Sequence, residues 1–396
     1  MTTRDRRPLI AHIVFRFDVG GLENGVVNLV NGLPADEFRH AIIALTMATD
    51  FKQRIRRQDV TVHEIRKQPG KDPSAYLRLY RLLRALRPDI VHTRNLGTLD
   101  CTLVAMLAGV PVRIHGEHGW DIHDPDGTNR KYRTLRRAMN PMIQRFVTVS
   151  ADLERWLVDR IGIPAHKVTR ICNGVDTDRF RPGAGVTDSD LDLARNLLPP
   201  DRFPPGCLIV GSVTRFEPIK DPLNLVRAFI GARCRLVTAN QAVDLRLLMV
   251  GDGPLRQDAL ELLKESGEAQ AAWLPGSHDN VPELLTAMDF YALGSRREGI
   301  SNTVLEAMAT GLPVIASATG GNLELVQPGM TGTLVPPGDP QALASALVAY
   351  ATDVALRQSH SEAARARAES EYSLAGMVAA YRDLYRAACP GLGIAA

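Results

Sequence analysis

"CLIVGSVTRFEPIKDPLNLVRAFIGA", residues 207 to 232, runs from an apolar, β-branched segment through a charged, proline-bearing loop into a helical segment. Near-continuous apolarity from Cys207 to Val213 is what a strand buried on both faces requires, and such strands belong to parallel sheets covered by helices. The same alternation precedes and follows it. Upstream, the runs LIAHIVF, HAIIALT, VTVHEI, DIVHTRN, VRIHGEHG and FVTVS are separated by periodic stretches such as 22–33, 74–87 and 97–108. Downstream come LRLLMVGDG, AAWLPG, FYALGS, PVIAS and GTLVPPG, with helices expected over 221–232, 254–265, 281–288, 302–310 and 341–352. The pattern pauses only in "FRPGAGVTDSDLDLARNLLPPDRFPPG", residues 180–206, whose glycine, proline and aspartate density marks a boundary. The expected fold class is therefore α/β, with two Rossmann-like, doubly wound domains. The assigned boundaries are 1–180 for the first domain, 181–206 for a linker, 207–372 for the second, and 373–396 for a C-terminal helix crossing back to the first. The tail from Ala355 to Ala388 reads as helical and Ala-rich.

A chain of 396 residues exceeds what one core serves, and 45% hydrophobic with 23% charged residues is ordinary globular composition. The apolar stretch after the basic start is too short for a secretory signal, and no run approaches a membrane span. The expected location is the cytoplasm. Cys101, Cys172, Cys207, Cys234 and Cys389 are scattered without a CxxC pair, which points to buried thiols in a reducing compartment. Charge is asymmetric: residues 1–185 hold 30 Lys and Arg against 20 Asp and Glu, the remainder 17 against 24. Arginines concentrate in YLRLYRLLRALRP (76–88) and RKYRTLRRAMNPMIQR (130–145). Both read first as solvated helix faces and second as surfaces attracted to anionic lipid at the inner face of a membrane, a peripheral contact. They lack interleaved aromatics, so no nucleic-acid partner is expected.

Ligands of doubly wound sheets bind beyond the carboxyl ends of the strands, so the strand-to-helix loops carry the chemistry. In RFDVGGLENG, Gly20 and Gly21 allow close backbone approach and leave helix-start amides for an anion, although turn geometry alone explains them equally well. Neither this loop nor VGDGP (250–254) forms GxGxxG, which weakens a dinucleotide reading. HGEHGWDIH offers His115, Glu117, His118, Asp121 and His123. The spacing is wrong for a helical metal motif; one histidine reads as structural, and His118, nearer the loop, as the one placed to touch a substrate hydroxyl. In TRFEPIKDP, Arg215 and Lys220 can converge on one anion, the first as a planar fork and the second as a point charge.

"SRREGISNTVLEAMATGLPVIA", residues 295–316, sets Glu298 before a helix and Glu306 inside it. Ser301 or Asn302 suits the N-cap, so free amides and the helix dipole make an anion site there. A carboxylate repels phosphate but accepts hydroxyls, and phosphate beside two hydroxyl acceptors describes a sugar nucleotide. A surface carboxylate with a helix-solvating one is the plainer alternative. DxD triplets at Asp124/Asp126, Asp176/Asp178 and Asp188/Asp190 recur as chance allows, and no metal is assigned.

These residues resemble a known family. REGISNTVLEAMATGLPVIA with TGGNLELVQPGMTGTLVPPGDP is similar to the E-x7-E region of GT-B retaining glycosyltransferases of family 4, TRFEPIKD to that family's Arg/Lys loop, and ICNGVDTDRF to its interdomain crossover. FRFDVGGLENGVVNLVNGLP and KQPGKD resemble a narrower group, the sugar transferases found with exosortase-associated exopolysaccharide clusters. The resemblance implies two domains facing across a cleft and a hexosyltransferase-like reaction. It implies that Arg215 and Lys220 bind the donor diphosphate, that Glu298 holds the sugar hydroxyls near the amides of Gly299, Ile300, Ser301 and Asn302, and that Glu306 grips the ribose. It further implies that His118 contacts the donor sugar near the reacting carbon while Gly20 and Gly21 shape the phosphate and acceptor pocket. The sequence departs from the family pattern at Thr214 and Asp221, where glycine is frequent, and at Ile300.

The expected function is sugar transfer from a nucleoside diphosphate-sugar, used as co-substrate without cofactor or metal, to a saccharide, lipid-linked acceptor in exopolysaccharide biosynthesis. Two alternatives are a sugar-nucleotide epimerase of the same architecture and a non-catalytic nucleotide-sugar-binding protein.

Overall fold

The structure is a computed structural model describing residues 7–121, 124, 126–182 and 194–389. It divides into two compact units, one of Met1–Gly174 with Leu374–Ala396 and one of Val175–Ser373. Each is a parallel sheet with helices on its faces, as the alternation of apolar runs and periodic stretches predicts.

In the first unit the strands are β1 (Leu9–Val14), β2 (Arg39–Ala44), β3 (Thr61–Glu64), β4 (Ile90–Arg94), β5 (Val112–Glu117), β6 (Arg145–Thr148) and β7 (Val168–Arg170). They lie in the order β3-β2-β1-β4-β5-β6-β7, so the winding direction reverses between β1 and β4. Register there pairs Ile10 with Ile90, Ala11 with Val91 and His12 with His92. Every residue of β1 and β4 is buried, including His12 of β1 and His92, Thr93 and Arg94 of β4, as expected of central strands covered on both faces. Strand β7 escaped the sequence reading: it has three residues, two half-buried and one exposed, on the sheet edge. The expected 97–108 helix is two pieces, Leu96–Leu99 and Cys101–Leu107.

The second unit contains β8 (Leu208–Val213), β9 (Leu245–Val250), β10 (Ala272–Gly276), β11 (Phe290–Leu293), β12 (Val314–Ser317) and β13 (Gly332–Val335), ordered β10-β9-β8-β11-β12-β13. Its reversal falls between β8 and β11. The Pro222–Thr238 helix packs Leu225, Phe229 and Leu236 against the sheet and against Leu343, Leu347 and Tyr350 of the Pro340–Thr352 helix. Asp339 caps the latter by accepting from the amides of Gln341 and Ala342, both at 2.9 Å. Of the segment assigned as a linker, residues 194–206 lie in this unit, where Arg202 donates to the Ala272 carbonyl at 2.7 Å; 183–193 lie outside the described residues.

The tail is two helices, Val354–Glu371 and Leu374–Ala388, with the break at Tyr372 and Ser373. No glycine or proline stands there. Instead Val175 donates to the Tyr372 carbonyl at 2.8 Å and pairs with Ser373, so backbone pairing with a distant segment ends the helix. The second helix belongs to the first unit and buries Met377, Tyr381, Leu384 and Tyr385 against Ile10, Leu29, Ile90 and Ile114. Each such side chain contributes about 1.5–3 kcal/mol by leaving water. Arg382 and Arg386 close on the single carboxylate of Glu37.

The cysteines correct one expectation: all five are free, but Cys172 is half-buried and Cys234 exposed, so only Cys101, Cys207 and Cys389 are buried thiols. The arginine runs also have more structural duty than a solvated face. Arg136 is buried on Glu117 at 2.6 and 3.2 Å and lies over the Trp156 ring at 4.8 Å, while Arg137 donates to the Ile161 carbonyl at 2.7 Å. No helix among the described residues is long and apolar enough to cross a membrane.

Candidate functional site

The β8/β11 reversal opens the second sheet at its carboxyl end, and the loop after each strand falls beside the other. β8 feeds Thr214–Lys220 and β11 feeds Gly294–Ser301. Lys220 Nζ lies 2.7 Å from both Glu298 oxygens, the carboxylate side chain being 3% exposed and the lysine 20%. A second link runs the other way, Arg296 Nε to Asp221 Oδ2 at 2.9 Å, and the Arg296 amide donates to the Ile219 carbonyl at 2.9 Å. The two loops are thus stitched together by opposite charges exchanged in both directions. Asp221 adopts φ +45°, the left-handed region, which explains physically why glycine suits this position.

Further contacts hold the backbone around this pair. Tyr291, fully buried in β11, places its hydroxyl 3.0 Å from the Val213 carbonyl and 2.8 Å from Thr303 Oγ1, tying the end of β8 to the next helix. Burial pushes its phenol above the ordinary value, against the hydrogen bonds to Thr303 and Val213, and the negative charges of Glu306 and Glu298 add to the rise. The TGG turn after β12 presses on the Glu298 turn: Gly320 has φ +51°, and a Cβ there would run into the Glu298 carbonyl. Gly251 of VGDGP is explained likewise, since a Cβ would meet the Thr214 carbonyl. These glycines serve backbone packing behind the site.

Of the remaining expected residues in this unit, Ser301 is the N-cap of the Asn302–Ala309 helix and accepts from the Val304 amide at 3.3 Å. Ile300 is buried with its side chain against Gly321, so it can offer a ligand only backbone. Gly299 and Asn302 are half-buried beside it, and Glu306 is half-buried one turn into the helix. Arg215 is exposed, and its side chain makes no hydrogen bond or ion pair among the described residues. The structure therefore brings Lys220 and Glu298 into direct contact, places Glu306 on the helix that Tyr291 touches through Thr303, and leaves Arg215 reaching out from the Lys220 loop.

The first unit holds the other expected residues. His118 and Gly21 line one narrow cavity with Arg94, Asn173, Met377 and Tyr381. Gly20 is extended at φ −169°, so no left-handed backbone requires it, and the Glu23 carboxylate lies against it. The two imidazoles separate clearly. His115 is buried in β5, with Nδ1 2.8 Å from Thr93 Oγ1 and Nε2 3.4 Å from Glu117. His118 lies beyond the strand, its amide donating to Asn95 Oδ1 at 2.7 Å and its ring facing the cavity. Burial, then Arg94 and His115, lower the His118 ring to about 3, so it is neutral near pH 7. Burial pushes Glu117 up, but Arg136 and His115 outweigh it and hold the carboxyl at about 2.

Asp124 and Asp176 spend their carboxylates on local turns, accepting from Asn129 at 2.9 Å and from Arg179 at 3.0 Å; His123 and the Asp188/Asp190 pair lie outside the described residues. Sequence reasoning missed Arg94, Tyr291 and the Asp221–Arg296 link. Arg94 carried a usable signal, a charged residue at the carboxyl end of a strand that lies beside the sheet reversal.

Comparison with known proteins agrees with this fold. Residues 19–179 match the family described as Glycosyltransferase Family 4, and residues 204–353 match Glycosyl transferases group 1. The UDP-Gal:alpha-D-GlcNAc-diphosphoundecaprenol alpha-1,3-galactosyltransferase of Escherichia coli is 29% identical over 325 residues, 80% of this chain and 79% of that one. The N-acetyl-alpha-D-glucosaminyl L-malate synthase of Bacillus anthracis is 33% identical over 173 residues, 44% of each chain. Among solved structures, Anabaena HepE in complex with UDP and glucose superposes with a TM-score of 0.80 at 20% identity, covering 96% of this chain and 99% of that one. The chain is a glycosyltransferase of the GT-B fold, in which a family 4 glycosyltransferase domain precedes a glycosyl transferases group 1 domain.

Proposed function

We propose that the protein transfers a sugar from a nucleoside diphosphate-sugar to a lipid-linked saccharide, with retention at the anomeric carbon and without a metal, in exopolysaccharide biosynthesis. The observation that carries this reading is the contact of Lys220 Nζ with both oxygens of the buried Glu298 at the β8/β11 reversal, with Arg215 on the same loop. Without donor, the ammonium and the carboxylate hold each other in place. With donor, Lys220 and Arg215 turn to the diphosphate, and Glu298 accepts hydroxyls of the transferred sugar. Glu306, one turn into the helix, accepts from the ribose.

In the reaction the bond from the anomeric carbon to the diphosphate oxygen breaks and a bond to the acceptor oxygen forms on the same face. The acceptor's proton passes to the departing phosphate oxygen. Negative charge grows on the diphosphate as the bond breaks, and cations fixed beforehand stabilise that growth without reorganising. His118, neutral at working pH, can accept or donate a hydrogen bond to a sugar hydroxyl without adding charge. The lipid-linked acceptor is supported by the name of the Escherichia coli relative, whose acceptor is attached to diphosphoundecaprenol. A peripheral contact with the cytoplasmic membrane face follows from such an acceptor.

The test is a thermal-shift and turnover screen across nucleoside diphosphates and their sugars, repeated with Glu298→Ala and Lys220→Ala. Stabilisation by one nucleoside diphosphate, lost in Lys220→Ala, with acceptor-dependent release of that diphosphate, supports transfer. Isomerised donor formed without acceptor would replace this reading with an epimerase, and binding without turnover across a broad acceptor panel would replace it with a binding protein.

A further inference from the structure

The donor chemistry leaves KQPGKD, residues 67–72, without a role, yet this segment is heavily braced. Lys67 folds its ammonium back onto the carbonyls of Gln68 and Gly70, at 3.3 and 2.9 Å. Asp72 accepts from the Gln68 amide and from Arg78, both at 3.0 Å, and caps the helix Pro73–Leu86. Arg78 also donates to the carbonyls of Ile65 and Arg66, at 2.8 and 3.3 Å. Three charged side chains are thus spent on the shape of one loop. They hold Arg66 at φ +55°, a left-handed conformation that disfavours every residue but glycine. Such strain persists only where the surroundings enforce it, and the side chain that it presents is 80% exposed.

The braced loop walls a hollow of about 750 Å³ beside the edge strand β3. That volume is in the range of sites for small organic molecules and far beyond what one phosphate ion fills. Among the described residues lining it, Lys52, Arg66 and Arg78 are cations and Glu64 is the only acid. Glu64 is already committed, with Oε1 2.8 Å from the Ala48 amide and Oε2 3.3 Å from Arg66 Nε. Lys52 is exposed, and its ammonium makes no hydrogen bond among the described residues. The hollow therefore favours an anion, to which it offers Lys52 and the terminal nitrogens of Arg66.

This surface continues into the loops after β1 and β2. The Lys67 amide donates to the Leu45 carbonyl at 2.8 Å, the Thr46 amide to the Phe15 carbonyl at 3.0 Å and the Phe17 amide to the Met47 carbonyl at 3.0 Å, which ties the three loops side by side. Two interstrand spacings, roughly 10 Å, separate β1 from β3. At the β1 end, Phe15 is 50% exposed and lies over Gly97, where a Cβ would approach the ring to 3.3 Å. Glycine there lets the ring rest on backbone with half of its surface in water. An exposed aromatic ring at a strand's carboxyl end is apolar ground for the C–H face of a sugar.

We propose that Phe15 and the Lys52–Arg66 hollow form an acceptor site of the first unit, selecting a saccharide that carries an anionic group, phosphate or carboxylate, roughly 10 Å from the sugar stacked on Phe15. KQPGKD then has a task, to hold Arg66 where that anion arrives. The choice of a saccharide rests on sugar transfer being the reaction; the preference for an anion rests on the charges of the hollow alone.

Calorimetric titration of the full chain, without donor, compares three disaccharides of the same sugars: one neutral, one with a uronic carboxylate and one with a 1-phosphate. An anionic disaccharide is expected to bind at least tenfold more tightly than the neutral one, and the tighter of the two identifies the anion. Lys52→Gln with Arg66→Gln should weaken it roughly tenfold or more, the effect of losing charged hydrogen bonds, and leave the neutral disaccharide unchanged. Arg66→Gly separates binding from folding: it relieves φ +55°, so the unfolding midpoint should hold or rise while the affinity for the anionic disaccharide falls. Phe15→Ala should weaken neutral and anionic disaccharides alike. No binding, equal affinity for neutral and anionic disaccharides, or an anion preference indifferent to Lys52 and Arg66 overturns the proposal. Absent turnover with this charge-dependent binding intact would instead remove the transfer reading and leave the site standing.

Discussion

Replacing Lys220 by alanine strands Glu298. The Glu298 side chain is 3% exposed, so its carboxylate cannot regain full hydration once the ammonium 2.7 Å from both oxygens is gone. Removing one member of a buried pair costs about 3–5 kcal/mol, and the 20% exposure of Lys220, which lets water into the vacated space, sets the expectation at the low end, about 3 kcal/mol. For a unit of this size, about 3 kcal/mol lowers the unfolding midpoint by roughly 6–12 °C. Combining Lys220→Ala with Glu298→Gln removes both charges and should recover most of that loss, because no uncompensated charge remains. Turnover should behave differently: each single variant loses roughly 10²–10³-fold, as for a preorganised charge donor, and the double variant recovers none of it. Calorimetric unfolding of the four proteins in a double-mutant cycle, with kcat for each, separates the two effects. If Lys220→Ala melts within about 1 °C of wild type, the burial argument is wrong; if the double variant regains turnover, the pair is merely structural.

Other outcomes follow from the same structure. Gly320→Ala should lose most activity and about 1–3 kcal/mol of stability, since a Cβ meets the Glu298 carbonyl at φ +51°; unchanged kcat with an unchanged melting point would show the TGG turn to be slack. Asp221→Gly should be nearly neutral in chemical denaturation, because relief of φ +45° offsets an ion pair whose Arg296 partner is 68% exposed. Arg136→Met should cost about 3–5 kcal/mol by leaving Glu117 buried and charged, with Glu117→Gln in the same chain restoring much of it. The pH dependence has a definite sign. His12, His40 and His92 have folded-state proton affinities lowered by burial, so the unfolded chain binds more protons once pH drops below about 6.5. Their contribution is complete above that value and declines as pH falls; with His118, lowered in the same way, proton uptake on unfolding near pH 5.5 approaches about four, measurable as the slope of unfolding free energy against pH. Glu117 adds a later loss as pH falls from about 4.5 toward about 2.

Most of the strand and helix order was legible because parallel strands buried on both faces leave apolar runs, as β8 and β11 do. What escaped lacked that imprint. β7 is a short edge strand without an apolar run, and the Tyr372–Ser373 break depends on Val175, far away in sequence. In the site, Arg215, Lys220, Glu298 and Glu306 were readable as loop charges next to strand ends, and Ser301 as a cap. Their pairing was not: Lys220 was assigned to phosphate and Glu298 to hydroxyls, and nothing in the spacing says that each is the other's partner. Arg94 and Tyr291 were overlooked because a polar group within a short buried strand reads as an interruption of the core. Burial, which turns such an interruption into a costly charge, becomes visible only in three dimensions.

The helix Leu374–Ala388 completes a core whose other walls, Ile10, Leu29 and Ile90, are translated hundreds of residues earlier. The half of the molecule that leaves the ribosome first is therefore the last to be finished. Until Tyr385 emerges, a sticky face stays open on the nascent chain, inviting chaperones and self-association. A premature stop after Glu371 would spare nearly all of the second unit yet deny the first its seal, so damage at the distal end of the message would be felt at the proximal end of the protein.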